Sequence, residues 1–371
     1  MKYDKLIIYY FSGTGNAKNA AMWIIDMAQK NGLKTELINI DRFKTIAVPE
    51  VSKKTLIGFC SPTHGFNMPP LVLEFIVRFP RLHNNDVFIL NTRGGLKLSR
   101  LFLPGLSGVA QILPALVLMF KGFRIVGMQP LDLPSNWLYI HPGLKKEVIK
   151  SIYTRCNRIV NEFATILLAG KRKYKALLSL PIDLAIVPLA FGYYFIGRFF
   201  LAKTLVATDA CNNCNACILE CPVEAIKTVN DMPYWTYKCE SCMRCINICP
   251  HRAIETAHGF SSLVVIVFYV LISPLLVFFL NYYGILDIIN QSNLFGQFWF
   301  LVEPAILVLL VFAGYRLLHY LMKFHIVNRV ITYSSLSKFK FWRRYKSPKH
   351  KILKVNGEIE LIKKVSGKKP N

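Results

Sequence analysis

Eight of the ten cysteines sit in two runs of one spacing. Cys-x2-Cys-x2-Cys-x3-Cys-Pro is read at Cys211, Cys214, Cys217, Cys221 and Pro222, and again at Cys239, Cys242, Cys245, Cys249 and Pro250. Every cysteine of the first run has a counterpart 28 residues on, and Ala225-Ile226 is matched by Ala253-Ile254, so the segment is an internal repeat. Three thiolates at such intervals can wrap one corner of an iron–sulfur cube. The fourth, set after a longer gap and before a proline, turns away to ligate the other cube. Zinc modules usually offer cysteines in pairs with a tetrahedral set of four, which this spacing suits poorly. A disulfide framework suits it less, because no secretory signal opens the sequence and Cys60 and Cys156 stand alone, as expected of a reducing compartment.

The repeat resembles the bacterial two-cluster ferredoxin. That resemblance implies one [4Fe-4S] cluster on Cys211, Cys214, Cys217 and Cys249, and a second on Cys239, Cys242, Cys245 and Cys221, within a small module whose clusters stand in for a core.

Upstream, residues 5–11 (KLIIYYF) form an apolar, β-rich run, followed at once by Ser12, Gly13, Thr14, Gly15 and Asn16 and then by a helical pattern over 17–29. A strand, a Gly-rich turn and a helix N-terminus make a phosphate cradle, in which backbone N–H groups and the Ser12 and Thr14 hydroxyls face the anion. The alternation continues, with strands predicted at 34–40, 55–61, 86–91 and 123–128 and helices at 69–79 and 144–168. Five strands with intervening helices give an α/β fold with a doubly wound parallel sheet, whose ligand sits beyond the carboxyl ends of the strands.

In sequence this half resembles a flavodoxin. The resemblance implies FMN, with its phosphate held by Ser12, Gly13, Thr14, Gly15 and Asn16. Its isoalloxazine ring would be clasped by Thr63, His64, Gly65 and Phe66 and by Asn91, Thr92, Gly94 and Gly95. Two departures stand out: Ala17 replaces the Thr or Ser that commonly follows Gly-Asn, and the loop after the fourth strand has no aromatic, which leaves Phe66 to stack on the ring or the ring more exposed. His64 reads either as a proton donor beside the flavin or as a solvated loop histidine. Residues 98–122 are unusually apolar for a helix on a soluble sheet, and read as a buried helix or as a surface that meets lipid or a later segment.

Hydrophobic residues make up 53% of the 371 and mean hydropathy is +0.35, so part of the chain is expected in lipid. The 46 Lys and Arg against 21 Asp and Glu leave a net charge of +25, which implies an anionic partner. These basic residues flank apolar segments rather than an aromatic-studded groove, so anionic lipid is expected and nucleic acid is not.

Residues 259–322 read as a transmembrane hairpin with apolar runs at 260–282 and 304–321. The loop 281–297 has no Lys or Arg, whereas the tail from Lys323 carries 14 basic residues against Glu358 and Glu360. The positive-inside rule then puts both redox domains and the basic tail (323–371), expected to lie on anionic lipid, on the cytoplasmic side of the cell's inner membrane. The linker 171–203 is long and apolar enough to cross as well, but a crossing would part the clusters from the flavin. With basic residues at both ends it reads as an interfacial or shallow re-entrant helical element. Glu303 is read as a headgroup-level acid or as a proton-handling group at a quinone pocket, and Arg316 and His319 as snorkelling anchors.

A flavodoxin-like domain (1–170) followed by a dicluster module (204–258) is similar to the bacterial and archaeal flavodoxin-ferredoxin fusion family. The similarity covers residues 5–257, including the run Leu131 to Trp137; the hairpin and tail are read from hydropathy. It implies a membrane-anchored electron-transfer protein joining FMN to two [4Fe-4S] clusters, with redox proteins or a quinone as donor and acceptor. Two other readings stay open: a flavin-dependent reductase of a small molecule or quinone fed by the clusters, and an iron–sulfur sensor whose first domain is a flavin-free scaffold. No nicotinamide-binding domain is read in the sequence.

Overall fold

A computed structural model describes residues 2–42, 51–82, 84–99, 101–287, 293–345 and 347. Its first strand, β1 (Lys5–Tyr10), is buried on both faces, which suits a central position in a parallel sheet. The other strands of this sheet are β2 (Lys34–Asn39), β3 (Thr55–Pro62), β4 (Asp86–Leu98), β5 (Leu101–Leu103), β6 (Arg124–Pro134) and β7 (Lys173–Tyr174). Their order is β2-β1-β3-β4-β6-β7, with β5 turned back antiparallel on β4. The first five parallel strands thus follow the flavodoxin-like winding, and the strand order reverses between β1 and β3.

Helices cover both faces. On one, α1 (Asn16–Lys30) and α4 (Lys146–Leu168) bury Trp23, Ile24, Ile152, Val160 and Phe163 against the sheet. On the other, α2 (Pro70–Arg78) and α3 (Ile112–Phe120) bury Leu71, Phe75, Ala115 and Leu118.

Two strands outrun their expected ends. The pairing of β4 with β6 continues from Asp86↔Arg124 to Gly95↔Pro134, past the level where loops were expected. A mostly buried Arg93–Asp132 ion pair at 2.7 Å holds this extension together. The apolar insert is divided between β5 and α3, and it shows an apolar face outward, with Leu116, Met119 and Phe120 exposed.

The cysteine module keeps its repeat in the backbone. Strand β8 (Leu205–Ala207) pairs antiparallel with β11 (Ile254–Thr256), and β9 (Ile226–Val229) with β10 (Met232–Trp235), while the short helices α7 (Ala216–Leu219) and α8 (Arg244–Ile248) carry Cys217 and Cys245. The left-handed residues Asn213, Asn215 and Glu224 recur 28 positions on as Ser241, Met243 and Arg252. Each pair kinks the chain at the same point, which aims successive peptide N–H groups inward around the thiols.

Between the domains, α5 (Lys175–Ala185) and α6 (Val187–Ala202) meet at 78°. Leu178, Ile182, Leu189 and Phe195 are exposed along them, and Pro181 and Pro188 open their regular α-helical turns. Buried Asp183 ties this elbow to the first domain by accepting hydrogen bonds from the Ser107 and Gly108 amides at 3.2 and 2.8 Å.

Helix α9 (His258–Tyr282) starts directly after β11, and α10 (Asn293–Leu321) contains the stretch Val302–Leu321; both are long and apolar enough to cross a membrane. Ser273 donates a 2.7 Å hydrogen bond to Glu303 across the pair. His319, expected as a snorkelling anchor, instead stacks on Tyr234 of the cysteine module at 5.0 Å, while Arg316 is exposed.

Nor does the described part of the tail lie apart from the two domains. After α11 (His325–Tyr333), Ser337 donates to Glu255 at 2.6 Å and Arg344 pairs with the same carboxylate at 2.5 Å. Trp342 Nε1 donates to the Leu138 carbonyl at 2.7 Å, and Arg343 to that of Gly143 at 2.8 Å. Residues 335–345 therefore form a strap over both domains. The remaining tail, 348–371, lies outside the described residues.

Candidate functional site

The eight repeat cysteines separate into two groups. Cys211, Cys214, Cys217 and Cys249 line one small cavity together with Pro233, Pro250 and Ile254. Cys239, Cys242 and Cys245 lie close to one another and to Cys221. In each group three cysteines come from one triplet and the fourth from the other repeat. Peptide N–H groups reach the sulfurs at matching places: Ala225 to Cys221 at 3.2 Å and Ala253 to Cys249 at 3.3 Å. Ser241 N–H adds a contact to Cys239 at 3.4 Å.

Burial pushes the Cys217 thiol up to about 11, and those of Cys239 and Cys242 up to about 12. Coordination to iron is what makes thiolates in such a place. Among the described residues no group of three His, Cys, Asp or Glu converges on a single metal ion.

A cavity of about 380 Å³ opens beyond the carboxyl ends of β1, β3 and β6, against residues 92–94 of β4. Ser12, Gly13, Thr14, Asn16, Thr63, His64, Gly65, Phe66, Thr92 and Gly94 all line it. Three expected residues do not. Gly15 takes a left-handed φ of 106° to start α1, and its N–H donates to Ser12 Oγ at 3.0 Å. Asn91 is fully buried behind the wall, donating to Thr63 Oγ1 at 2.6 Å. Gly95 belongs to the extended strand, where a Cβ would come within 2.7 Å of that of Asp132.

The cavity has features suited to a phosphorylated, planar ligand. Its floor is the N-terminus of a 15-residue helix with no acid in the first turn. Its wall carries Trp137 and Tyr193, edge to face at 5.7 Å, beside Phe66. These supply aromatic surface that the fourth-strand loop lacks. Trp137 follows β6 in the run 131–137 noted in the sequence, but Tyr193 comes from the elbow helix α6, and no local pattern marked it. Ser135, Asn136, Ile140 and His141 were likewise missed as lining residues. Burial pulls His64 down to about 4, so its ring is neutral near pH 7. It is thus one N–H donor and not an imidazolium.

The cysteine module closes one side of this cavity. Ser241 lines it, and a Cβ on Gly13 would lie 2.1 Å from the Cys242 carbonyl oxygen, so only glycine lets the two loops meet. Arg244 clamps the contact by pairing with Asp41 and donating to the Ser12 carbonyl at 2.8 Å. From the first domain, Arg42 reaches the Leu219 carbonyl at 2.8 Å.

The 4Fe-4S binding domain family matches residues 205–227 and again 232–255. No curated protein matches the chain. Among solved structures, a flavodoxin from the domain Archaea is 18% identical, covering 43% of this chain and 96% of its own, at a TM-score of 0.29. Flavodoxin 1 from Bacillus cereus is 17% identical, with 43% and 97% covered and a TM-score of 0.29. General stress protein 14 of Treponema denticola, in complex with FMN, is 10% identical, with 44% and 99% covered and a TM-score of 0.26. Likeness at this level carries no argument by itself, and the flavodoxin-like class rests on the strand order. The chain joins a flavodoxin-like α/β domain to a 4Fe-4S binding domain. Its two family matches correspond to two [4Fe-4S] clusters.

Proposed function

We propose a membrane-anchored electron-transfer protein in which FMN occupies the 380 Å³ cavity and exchanges electrons with the two clusters. The observation that carries this is the contact of Gly13 with Cys242, which puts a ligand loop of one cluster against the phosphate loop of the flavin cavity. Ser12, Gly13 and Thr14 would hold the phosphate at the start of α1, and Phe66, Trp137 and Tyr193 would face the ring. FMN when bound exchanges one or two electrons, whereas each cluster exchanges one.

The geometry also supports an order. Cys221, Cys239 and Cys245 are buried and Cys242, half-buried, lies against Gly13 of the cavity, whereas in the other group only Cys217 is buried, Cys211 and Cys249 are half-buried and Cys214 is exposed. The cluster on Cys211, Cys214, Cys217 and Cys249 is therefore the outer station, open to a soluble redox partner, and the other is the inner one. Tyr193 packs onto Gly65 closely enough that a Cβ there would lie 1.9 Å from its ring. This cover over the cavity favours a carrier over a reductase open to small substrates.

Helices α9 and α10 anchor the assembly, and the basic flanks bind anionic lipid at the cytoplasmic face. Protein extracted anaerobically from membranes is expected to carry about eight iron and eight sulfide and to release one FMN on heating. Full iron without FMN would leave a cluster protein on a flavin-free scaffold and overturn the proposal.

A further inference from the structure

Lys203 is 1% exposed, at the point where the elbow helix passes into β8. Its ammonium donates to the Trp235 carbonyl and, at 3.4 Å, to the Tyr234 hydroxyl. The rings of Tyr234 and Tyr315 lie 4.6 Å from it and that of Phe312 lies 5.1 Å away. No Asp or Glu comes within ion-pair distance of it among the described residues. Burying an ammonium costs several kcal/mol, and carbonyl, hydroxyl and ring contacts offset only part of that. Burial pulls Lys203 down to about 8.

The ammonium is held on the Trp235 carbonyl, and the Trp235 side chain reaches Cys245, a cysteine assigned to the inner cluster. A cube with four thiolates is a net anion, and reduction makes it more so. Trp235, whose carbonyl anchors the ammonium, packs in the same core as Cys239 and Cys245. The repeat does not place a lysine at the matching point of the outer group: 28 residues after Lys203 stands Asp231, exposed in the turn between β9 and β10.

We propose that Lys203 is the fixed counter-charge of the inner cluster, stabilising its reduced form and raising its reduction potential while leaving the outer cluster unaffected. A positive charge at short range in a low-dielectric core favours the state with one more electron, and its effect falls off with distance. The two clusters are thereby made unequal, with the inner one the better resting place for an electron beside the cavity.

This rests on both clusters being bound, so iron and sulfide are measured first on the full chain in detergent; a chain without clusters would refute that reading and not the role of Lys203. EPR-monitored redox titration then compares the unsubstituted protein with Lys203→Met and Lys203→Arg. The expected result is one midpoint moved to a more negative value in Lys203→Met, the other unmoved, and the first restored in Lys203→Arg. Loss of half the iron in Lys203→Met alone would also support the counter-charge. Unchanged midpoints in Lys203→Met, equal shifts in both variants, or cluster loss in both would overturn it.

Discussion

His64 shows how far a single residue's surroundings can redirect its chemistry. As a loop histidine beside a flavin site it invites the role of a cationic proton donor. Packed edge-on to Phe11 with Nδ1 unpartnered, it is neutral instead, its pKa pulled down to about 4 by burial. In an unfolded chain the same ring would titrate near 6.5. Between those values the unfolded state binds the extra proton, so stability contributed by His64 is present above about pH 6.5 and is lost as pH falls toward 4. Thermal unfolding of the unsubstituted protein should therefore steepen in pH dependence over that interval relative to His64→Gln; parallel curves would show that the ring is already solvated. The Arg244–Asp41 pair makes a second case, with side chains only 12% and 20% exposed. Arg244→Ala leaves the carboxylate without its cation, at a cost of about 3 kcal/mol. The expected readout is faster hydrogen exchange at Gly13 and Glu220, one on each side of the joint, and unchanged exchange would assign the docking to other contacts.

Among the elements, the strap is the one whose position departs furthest from its composition. Its Lys and Arg residues read as a lipid-bound tail, yet Tyr345 is buried in the core of the first domain. There its hydroxyl donates to Asn16 Oδ1 and shares a 2.7 Å hydrogen bond with Tyr153. A segment that follows the membrane hairpin thus braces the first turn of the phosphate-loop helix. Truncation after Tyr333 should loosen residues 16–19 in hydrogen exchange and weaken FMN retention, whereas Tyr345→Phe, which removes both hydrogen bonds of the hydroxyl, should cost about 2 kcal/mol. Wild-type exchange in the truncated chain would mean that Tyr153 holds Asn16 unaided. The elbow is the counterpart on the other side: Tyr193 closes over Gly65, and Asp183 fixes the loop at Ser107.

At the scale of the molecule, three bodies meet at one place. The loop 135–141 that lines the 380 Å³ cavity also meets the first turn of α9, where Tyr139 stacks on His258 at 5.0 Å and donates to Ser261 at 2.9 Å. The cavity, the inner cysteines and the base of the hairpin are thus mechanically joined. Washing membranes with high salt or alkaline carbonate should leave the protein in the pellet, and detergent should release it with its iron; release by salt alone would replace the spanning hairpin with surface binding.

Much of this was legible in the sequence because it is locally encoded. Cysteine spacing fixes which thiols share a loop, the repeat fixes where the backbone must kink, and the length of apolar runs fixes which helices can cross lipid. The alternation of apolar runs and Gly-rich turns likewise marked β1, β3 and the phosphate loop. What tertiary structure alone decided involves partners far apart in the chain: Cys242 against Gly13, Tyr193 over Gly65, Tyr345 behind Asn16 and Lys203 on the Trp235 carbonyl. Such contacts depend on how whole elements pack, and a local pattern carries no record of which surface another element will cover. The sequence by itself thus determined the two cluster loops and the flavin-type cradle. Packing decided that they touch, which cysteines are buried, and where the buried ammonium of Lys203 lies.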